Sequence, residues 1–313
     1  MTDIQKAAEI IQEGGLVAFP TETVYGLGAD ALNPLAVARI FEVKNRPQFD
    51  PLIVHVADVR QAEILVLKFP EKALRLMEKF WPGPLTLVLP KSNLVPDIVT
   101  SSLPNVAIRV PNHPMALDLI RESGRPIAAP SANPFGGVSP TTAEHVRQSL
   151  GNKVDMILDG GPCGIGVEST VILFAGQEPI LLRPGGLPLE DIQALIGKVA
   201  VETGSADKPL APGQLLNHYA PRTPLVLDTR MVALPVGKKI GLLAFQKPDD
   251  PSLYNWVEVL SPSGDLREAA ANLFAAVRRL DDKNLDLIMA RLVPNEGLGR
   301  AINDRLTKAS RKK

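Results

Sequence analysis

The sequence is poor in cysteine and aromatic residues and has no excess of either charge. Cys163 is the only cysteine among 313 residues, which excludes an internal disulfide framework and is typical of a reducing compartment. Aromatic residues make up 4% of the chain, too few for a platform on which RNA bases stack. Lysine plus arginine and aspartate plus glutamate each number 34, so the formal net charge is +0. A protein that mainly binds a nucleic-acid backbone has a basic surplus, so this function is disfavoured.

The sequence also lacks a long hydrophobic run. No stretch approaches the roughly 20 apolar residues of a membrane span, and acidic residues stand near the N-terminus, where a signal peptide would be apolar. We therefore expect a cytoplasmic protein with no membrane interaction. Prolines number 29 and predict many rigid loops, while an apolar content of 45% is enough for a large core.

Strand-like and helix-like segments alternate over the first two-thirds of the chain. Apolar runs at 16–19 and 52–56 predict buried strands, and the pattern at 71–80 predicts an amphipathic helix. Several strands follow each other without a helix between them, so residues 1–200 predict an α/β domain with a twisted, mixed parallel and antiparallel sheet. Residues 201–224 show little periodicity and predict a linker. Residues 225–313 predict a smaller, Rossmann-like α/β domain.

The common nucleotide and metal motifs are missing. There is no G-x-x-x-x-G-K-[ST], and Gly26-Leu27-Gly28 lacks the third glycine of a dinucleotide fingerprint. The four histidines are scattered, without the spacing of a zinc site. No G-x-S-x-G elbow surrounds Ser131. A bound nucleotide would therefore need another arrangement.

Two cations, Lys44 and Arg46, end a predicted helix and are followed by Pro47. Basic residues at a helix C-terminus most often interact with the helix dipole. Here the proline stops the helix and directs both cations over a loop. An arginine and a lysine in that position can bind a polyphosphate, the arginine through its two-pronged guanidinium and the lysine as a point charge.

A second loop carries Ser131 and Asn133 between Pro130 and Pro134. A rigid turn between a strand and a helix is the simpler interpretation of these prolines. It does not explain the hydroxyl and amide groups, which can hold phosphate oxygens. The loop at 20–28, with two threonines and a glutamate, also follows a strand and predicts a ligand loop.

Two polar residues lie inside apolar strands. His55, taken alone, is more often a hydrogen-bonded core histidine than a ligand. Arg109 is different, because burying its charge is costly unless the charge is paired. A bound carboxylate is a candidate partner for it. Cys163 has no base near it in the sequence and predicts a small loop residue, not a nucleophile.

Taken together, these segments resemble the YrdC-like family, in the long two-domain form found in threonylcarbamoyl-AMP synthases. The resemblance covers essentially the whole chain. Its most specific part is the Lys-x-Arg and Ser-x-Asn signature, present as Lys44, Arg46, Ser131 and Asn133. The other matching segments are 20–27, Trp81-Pro82-Gly83-Pro84-Leu85-Thr86, Glu168-Ser169-Thr170-Val171, His218-Tyr219-Ala220-Pro221 and Ala301-Ile302-Asn303-Asp304-Arg305.

The resemblance implies ATP-dependent synthesis of L-threonylcarbamoyl-AMP from L-threonine and bicarbonate, with release of pyrophosphate. Its product would feed a separate tRNA threonylcarbamoyl transferase, which makes N6-threonylcarbamoyladenosine beside the anticodon. Mg²⁺ bound through the ATP phosphates is the implied cofactor, with no metal site built by the protein. The resemblance places Thr23, His55, Arg109, Ala129 and Ser169 around threonine and bicarbonate. It places Arg46, Asp50, Asn105, Ser131, Ser139, Arg183 and Tyr219 around ATP, with Lys44 and Asn133 completing the anion site and Tyr219 forming part of a lid.

The sequence departs from the family pattern at two places. Asp50 stands where the family commonly has asparagine, and residues 214–217 differ from the usual linker sequence. Two rival functions stay open. One is an RNA-binding module, or weak RNA binding beside catalysis, because RNA binding is associated with this fold. The other is a carbamoyl-adenylating relative from hydrogenase maturation, which the absence of paired Cys-x-x-Cys disfavours.

Overall fold

The computed structural model describes residues 1–176, 178–202, 209–215, 218–228, 235 and 237–311. Residues 203–208, 216 and 217 of the predicted linker lie outside the described residues, as do the last two residues of the basic C-terminal tail. In the described part of the chain the helices are α1 (Asp3–Gln12), α2 (Pro34–Lys44), α3 (Val59–Glu63), α4 (Glu71–Phe80), α5 (Asp97–Thr100), α6 (Pro114–Ser123), α7 (Ala143–Leu150), α8 (Leu189–Ile196), α9 (Leu266–Asp281) and α10 (Gly299–Ala309).

The strands fall into two sheets. The first sheet contains β1 (Val17–Phe19), β2 (Gly26–Asp30), β3 (Ile53–His55), β4 (Leu85–Pro90), β5 (Asn105–Arg109), β6 (Ile127–Ala128), β7 (Met156–Ile157), β8 (Thr170–Leu173), β9 (Ile180–Arg183) and β10 (Ala200–Val201). The second sheet contains β11 (Leu225–Leu227), β12 (Ile240–Ala244), β13 (Trp256–Val259) and β14 (Leu287–Ala290).

The first sheet is mixed, as the sequence predicts. Its strand order is β10-β9-β8-β4-β5-β3-β6-β2-β1-β7. β3 and β5 run parallel, while β4 pairs antiparallel with β5 and β6 pairs antiparallel with β3. Consecutive strands such as β1 and β2 are antiparallel neighbours joined by a short loop, so no crossover helix is needed.

Alternation along the strands gives this sheet two different faces. On one face, residues such as Val54 and Ile108 join the largest apolar core, beneath α2, α4 and α8. On the other face lie Ile53, His55 and Arg109, and the register places His55 directly opposite Arg109. Polar side chains in apolar strands therefore point away from the main core. The same face carries the candidate site.

The second sheet has the order β11-β14-β12-β13 with every pair parallel. The helix of this unit that follows β13 is α9, and the side chain of Asp265 caps it by accepting from the backbone of Arg267 and Glu268. An all-parallel sheet with α9 between β13 and β14 confirms an α/β second unit. Between β10 and β11, the described residues form no helix or strand.

Contacts between the two sheet units are extensive. One apolar cluster contains Val24, Val138 and Val167 from the first unit together with Leu273 and Phe274 of α9. Polar contacts add to it, because the Arg278 guanidinium donates to the carbonyl of Val138. Among the described residues, no helix is long and apolar enough to cross a bilayer.

Candidate active site

A polar cavity lies on the open face of the first sheet, beneath the linker. It encloses about 50 Å³, enough for a few water molecules. We call it the ligand cavity. It is lined by Thr21, Thr23, Val24, Gly26, Arg46, Ile53, His55, Arg109, Ala129, Pro130, Ser131, Glu168, Ser169, Arg183, Pro212, Gly213, His218 and Tyr219.

Every residue that the resemblance places around threonine lines this cavity: Thr23, His55, Arg109, Ala129 and Ser169. They come from the β1–β2 loop, the ends of β3 and β5, the residue after β6 and the residue before β8. The pairing of β3 with β5 and β6 explains their meeting, since it sets these strand ends side by side. Residues far apart in the chain therefore share one wall.

Arg109 already has a protein partner. Its Nη2 atom lies 2.6 Å from a carboxylate oxygen of Glu22, and its Nη1 donates to the Thr23 hydroxyl at 2.9 Å. Its Nε donates to the carbonyl of Gly83 at 3.1 Å. The expectation that this buried charge is paired is confirmed, with Glu22 as its partner in the protein. The guanidinium still lines the cavity, and its protein partners fix its orientation there, so a bound carboxylate stays a candidate second partner.

His55 is a neutral imidazole. It is 4% exposed, and burial lowers its pKa to about 3, with the nearby positive charge of Arg109 acting in the same direction. Its ring meets Phe19 edge to face at 6.0 Å. A histidine with so low a pKa is a poor proton acceptor at neutral pH and serves as a hydrogen-bonding group.

The predicted ATP residues divide into two groups. Arg46, Ser131, Arg183 and Tyr219 line the cavity. Asp50 and Ser139 are fully buried behind the lining, and Asn105 lies at the start of β5, opposite Pro90. Lys44 and Asn133 are buried and do not line the cavity either.

Lys44 supports the loop that carries Ser131. Its ammonium donates to the carbonyl oxygens of Ser131 and Asn133. The Asn133 amide donates to the carbonyls of Pro134 and Gly137 at 2.8 and 3.0 Å. In this arrangement neither residue faces the cavity as an anion ligand. Half of the Lys-x-Arg and Ser-x-Asn signature therefore shapes the loop, and the other half, Arg46 and Ser131, faces the cavity.

Arg46 and Asp50 form a buried pair. The Nη2 atom of Arg46 lies 2.9 Å from a carboxylate oxygen of Asp50, and the guanidinium also donates to the carbonyls of Asp50 and Pro51. Burial raises the pKa of Asp50, and the attraction of Arg46 opposes that shift. The acid that departs from the family pattern thus lies behind the arginine and orients it.

Arg183 and Glu168 line a further side of the cavity. Arg183 donates to the carbonyl and hydroxyl oxygens of Ser169 and to the carbonyl of Pro212. Glu168 accepts from the Ser139 hydroxyl at 2.6 Å, so Ser139 acts on the cavity through this carboxylate. Arg305 and Arg183 hold the pKa of Glu168 at about 2, although burial alone would raise it.

The linker closes the cavity from the second unit's side. Tyr219 is 2% exposed and stacks on Phe274 of α9 with ring centroids 5.6 Å apart. Its φ of 64° is a left-handed backbone conformation, which is strained for a bulky residue. His218 packs beside it, and Pro212 and Gly213 complete the cover.

Sequence reasoning missed several lining residues. Glu168 and His218 line the cavity and lie in segments that resemble the family, but the sequence analysis assigns no ligand to either. For Glu168, its position next to Ser169 is a signal that could have indicated a place in the site. Thr21 accompanies Thr23 in the same loop and hydrogen-bonds to it at 2.8 Å. Ile53 and Gly26 carry no polar group, so only the strand register reveals them. Cys163 is buried and its pKa is raised to about 12, which agrees with a loop residue that is not a nucleophile.

Comparison with known proteins identifies the family. A family model described as "Telomere recombination", named for Sua5, YciO and YrdC, matches residues 9–185. A second, described as the C-terminal domain of threonylcarbamoyl-AMP synthase, matches residues 187–311. The chain belongs to the Sua5/YciO/YrdC family. The resemblance stated from the sequence is thereby confirmed.

Relatives of this family match along nearly the whole chain. The threonylcarbamoyl-AMP synthases of Bacillus subtilis and Pyrococcus abyssi are each 47% identical, covering 98% of this chain and 92% and 94% of theirs. The crystal structure of P. abyssi Sua5 complexed with L-threonine superposes with a TM-score of 0.91 at 46% identity, covering 98% of this chain and 94% of that one. Escherichia coli YciO, at 27% identity and a TM-score of 0.52, covers 58% of this chain.

Proposed function

We propose that this member of the Sua5/YciO/YrdC family synthesises L-threonylcarbamoyl-AMP from L-threonine, bicarbonate and ATP, and releases pyrophosphate. The observation that carries the proposal is its 47% identity, over 98% of the chain, to proteins named for this synthase activity. The ligand cavity supports it, because anion-binding arginines and hydroxyls meet there under one cover.

The cavity has two ends with different chemistry. One end holds Arg109, Thr23 and His55, a fixed cation with neutral hydrogen-bonding groups, which suits the carboxylate and hydroxyl of threonine. The other end holds Arg46, Ser131 and Arg183, which suit phosphate oxygens. Ser169, which the resemblance places around threonine, accepts a hydrogen bond from Arg183 of the phosphate end.

The reaction needs positioning more than covalent help. The amine of threonine and bicarbonate give a carbamate and water, and a carbamate oxygen then attacks the α-phosphorus of ATP as pyrophosphate leaves. Arg46 and Arg183 stabilise the charge that develops on the phosphate oxygens, at positions fixed by their carbonyl partners. The threonine end aligns the nucleophile with the phosphate.

The linker controls access to this chemistry. We propose that Tyr219 and its neighbours, which lie over the cavity, move outward to admit ATP. When the linker closes again, it excludes water from a mixed anhydride that water would hydrolyse. The predicted lid role of Tyr219 fits its position over the cavity.

Mg²⁺ is proposed to bind through the ATP phosphates. Among the described residues, no group of three or more histidine, cysteine or acidic side chains could hold a metal ion by itself. The acids nearest the cavity are engaged, Asp50 with Arg46 and Glu168 with Ser139 and Arg305. Bound Mg²⁺ would neutralise phosphate charge that the arginines leave unpaired.

The product defines the partner. A separate transferase would move the threonylcarbamoyl group to the adenosine beside the tRNA anticodon. Synthesis of the adenylate is the first step of that tRNA modification. Direct RNA binding is the weaker alternative, since the chain has a net charge of +0. A cytoplasmic location of the protein stays a prediction from its composition.

Two matched variants test the division of the cavity. Thr23→Val removes a hydroxyl at the threonine end, and Ser131→Ala removes one at the ATP end. We expect the first to raise the KM for threonine about fivefold and the second to raise the KM for ATP about fivefold, the effect of one hydrogen bond. Each should leave the other KM within about twofold. Threonine-dependent pyrophosphate release measures both, and equal effects on the two substrates would contradict the division.

A further inference from the structure

Arg305 is a buried cation contributed by the second unit. It lies on α10, and its side chain is 1% exposed. Burying a guanidinium is unfavourable unless polar groups surround it, so its partners define what it does. One partner is the neighbouring Asp304 of α10, whose carboxylate accepts from Arg305 Nη1 at 2.5 Å. Two others, Glu168 and Tyr219, line the ligand cavity, which Arg305 does not itself line.

The first partner is Glu168. The Nε atom of Arg305 donates to its Oε2 at 2.8 Å, and Nη1 donates to the carbonyl of Pro184 at 3.0 Å. The second carboxylate oxygen of Glu168 accepts from Ser139. One cavity-lining carboxylate is thus fixed from both sides, by a serine of the first unit and an arginine of the second.

The second partner is Tyr219. The guanidinium of Arg305 lies 5.0 Å from the centre of the tyrosine ring, within the range of a cation–π contact. The rings of Phe274 and His218 also pack against this tyrosine. Since Tyr219 has a left-handed backbone, side-chain packing must compensate for that strain.

α10 also contacts the other part of the linker. Lys308, one turn beyond Arg305, donates to the carbonyl of Gly213 at 2.6 Å. Gly213 and Tyr219 both line the cavity. A single helix of the second unit therefore holds both described segments of the cover, 209–215 and 218–222, through two cations.

We propose that Arg305 is a positioning residue of the active site. It holds Tyr219 and Glu168 in place, and so couples the second unit to closure of the linker over ATP; the inference about ATP rests on the proposed function. Removing Arg305 takes away the cation–π contact of Tyr219 and leaves Glu168 with Arg183 and Ser139 as its remaining partners.

Three variants on α10 test this. Arg305→Met keeps bulk and removes the charge, and Arg305→Lys keeps the charge without the planar group. Arg300→Met is the matched control, because Arg300 lies on the same helix, is 37% exposed and pairs with Glu190 at 2.8 Å, away from the cavity. Hydrogen exchange of peptides covering 209–215 and 218–222 reports linker closure without any assay of activity.

We expect Arg305→Met to speed exchange in these peptides at least tenfold and to lower kcat/KM for ATP at least tenfold, with an unchanged circular dichroism spectrum. Arg305→Lys should be intermediate, and Arg300→Met should match the unsubstituted protein in both measurements. Exchange rates and kcat/KM within twofold of the unsubstituted protein in Arg305→Met would overturn the proposal.

A double-mutant cycle covers the case in which Arg305→Met alone fails to fold. Arg305→Lys removes the guanidinium and Glu168→Gln removes the carboxylate, and both substitutions keep a side chain of similar volume. The cycle compares these two variants with their combination. If Arg305 acts through Glu168, the double variant loses less kcat/KM than the product of the fold-losses of the two single variants. A double-variant loss equal to that product would mean independent effects and would refute the coupling. If the unsubstituted protein makes no threonylcarbamoyl-AMP, the proposed function fails, and the exchange comparison still decides whether Arg305 holds the linker.

Discussion

Two buried arginines at the ligand cavity each form an ion pair with a carboxylate of the protein itself. Arg109 pairs with Glu22, and Arg46 pairs with Asp50. The sequence showed that Arg109 must be paired, but not with what, since its partner lies on a different loop. Protein partners of this kind hold the cations in orientation before a ligand binds, which is what electrostatic stabilisation of phosphate transfer requires.

The neutral state of His55 predicts an effect of pH on stability. Its pKa is about 3 in the folded protein and about 6.5 in an unfolded chain. Between these values the unfolded state binds more protons, so stability falls as the pH decreases through that window. At pH 4.5 this linkage amounts to about 2–3 kcal/mol.

His55→Gln removes that contribution. Urea unfolding at pH 7.5 and 4.5 should show that the unsubstituted protein loses about 2–3 kcal/mol more than the variant on acidification. Other titrating groups are present in both proteins and cancel in the difference. Equal losses would mean that His55 becomes protonated in the folded state near its usual pKa.

Among the helices and strands, a regular apolar pattern predicted a helix correctly, whereas a glycine-rich strand was missed. The bounds predicted for α4, 71–80, are those observed, because its apolar periodicity and the prolines on either side are clear. The predicted loop at 20–28 was wrong in its last three residues, because 26–28 belong to β2. There the glycines permit close packing: a Cβ at Gly28 would lie 2.7 Å from the ring of Phe19.

The sequence could suggest residues for the site but could not tell which of them line the ligand cavity. The resemblance named residues that line the cavity, such as Arg46 and Ser169, and residues one layer behind it, such as Lys44 and Ser139. Spacing along a chain cannot separate these two layers, because the loops that carry them meet only in the fold. The role of Lys44 became visible only with its carbonyl partners.

The conformation of the loop at 130–139 depends on Lys44, whose ammonium donates to the carbonyls of two loop residues. Lys44→Met leaves the buried carbonyls of Ser131 and Asn133 without their donor. We expect the free energy of unfolding to fall by about 2 kcal/mol and the KM for ATP to rise as Ser131 moves. Lys79→Met is the control, because Lys79 also lies in the last turn of a helix but is exposed. Denaturant unfolding and steady-state kinetics check both variants, and an unaffected Lys44→Met would contradict the supporting role.

At the scale of the whole molecule, the two sheet units share a core. Val24, Val138 and Val167 of the first unit pack with Phe274 of the second, and the Arg305–Glu168 pair joins them at the cavity. Separating the units would expose these side chains and leave a carboxylate buried without its cation. The units should therefore unfold together.

The two tryptophans make this testable. Trp81 reports on the first unit, where its indole donates to the carbonyl of Leu85, and Trp256 reports on β13 of the second. Trp256→Phe and Trp81→Phe leave one reporter each. We expect fluorescence and circular dichroism to give coincident transitions within each variant. A lower midpoint by Trp256 fluorescence than by Trp81 fluorescence, each corrected for the stability of its variant, would show that the units unfold separately.

Mass spectrometry of the reaction products decides whether this protein synthesises L-threonylcarbamoyl-AMP. The full chain is incubated with ATP, Mg²⁺, ¹³C-bicarbonate and L-threonine, with L-serine in place of threonine as a control for specificity. We expect one product whose mass equals AMP plus a threonylcarbamoyl group, formed together with pyrophosphate and carrying the labelled carbon. Pyrophosphate without an adduct, or an adduct that lacks the labelled carbon, would contradict it.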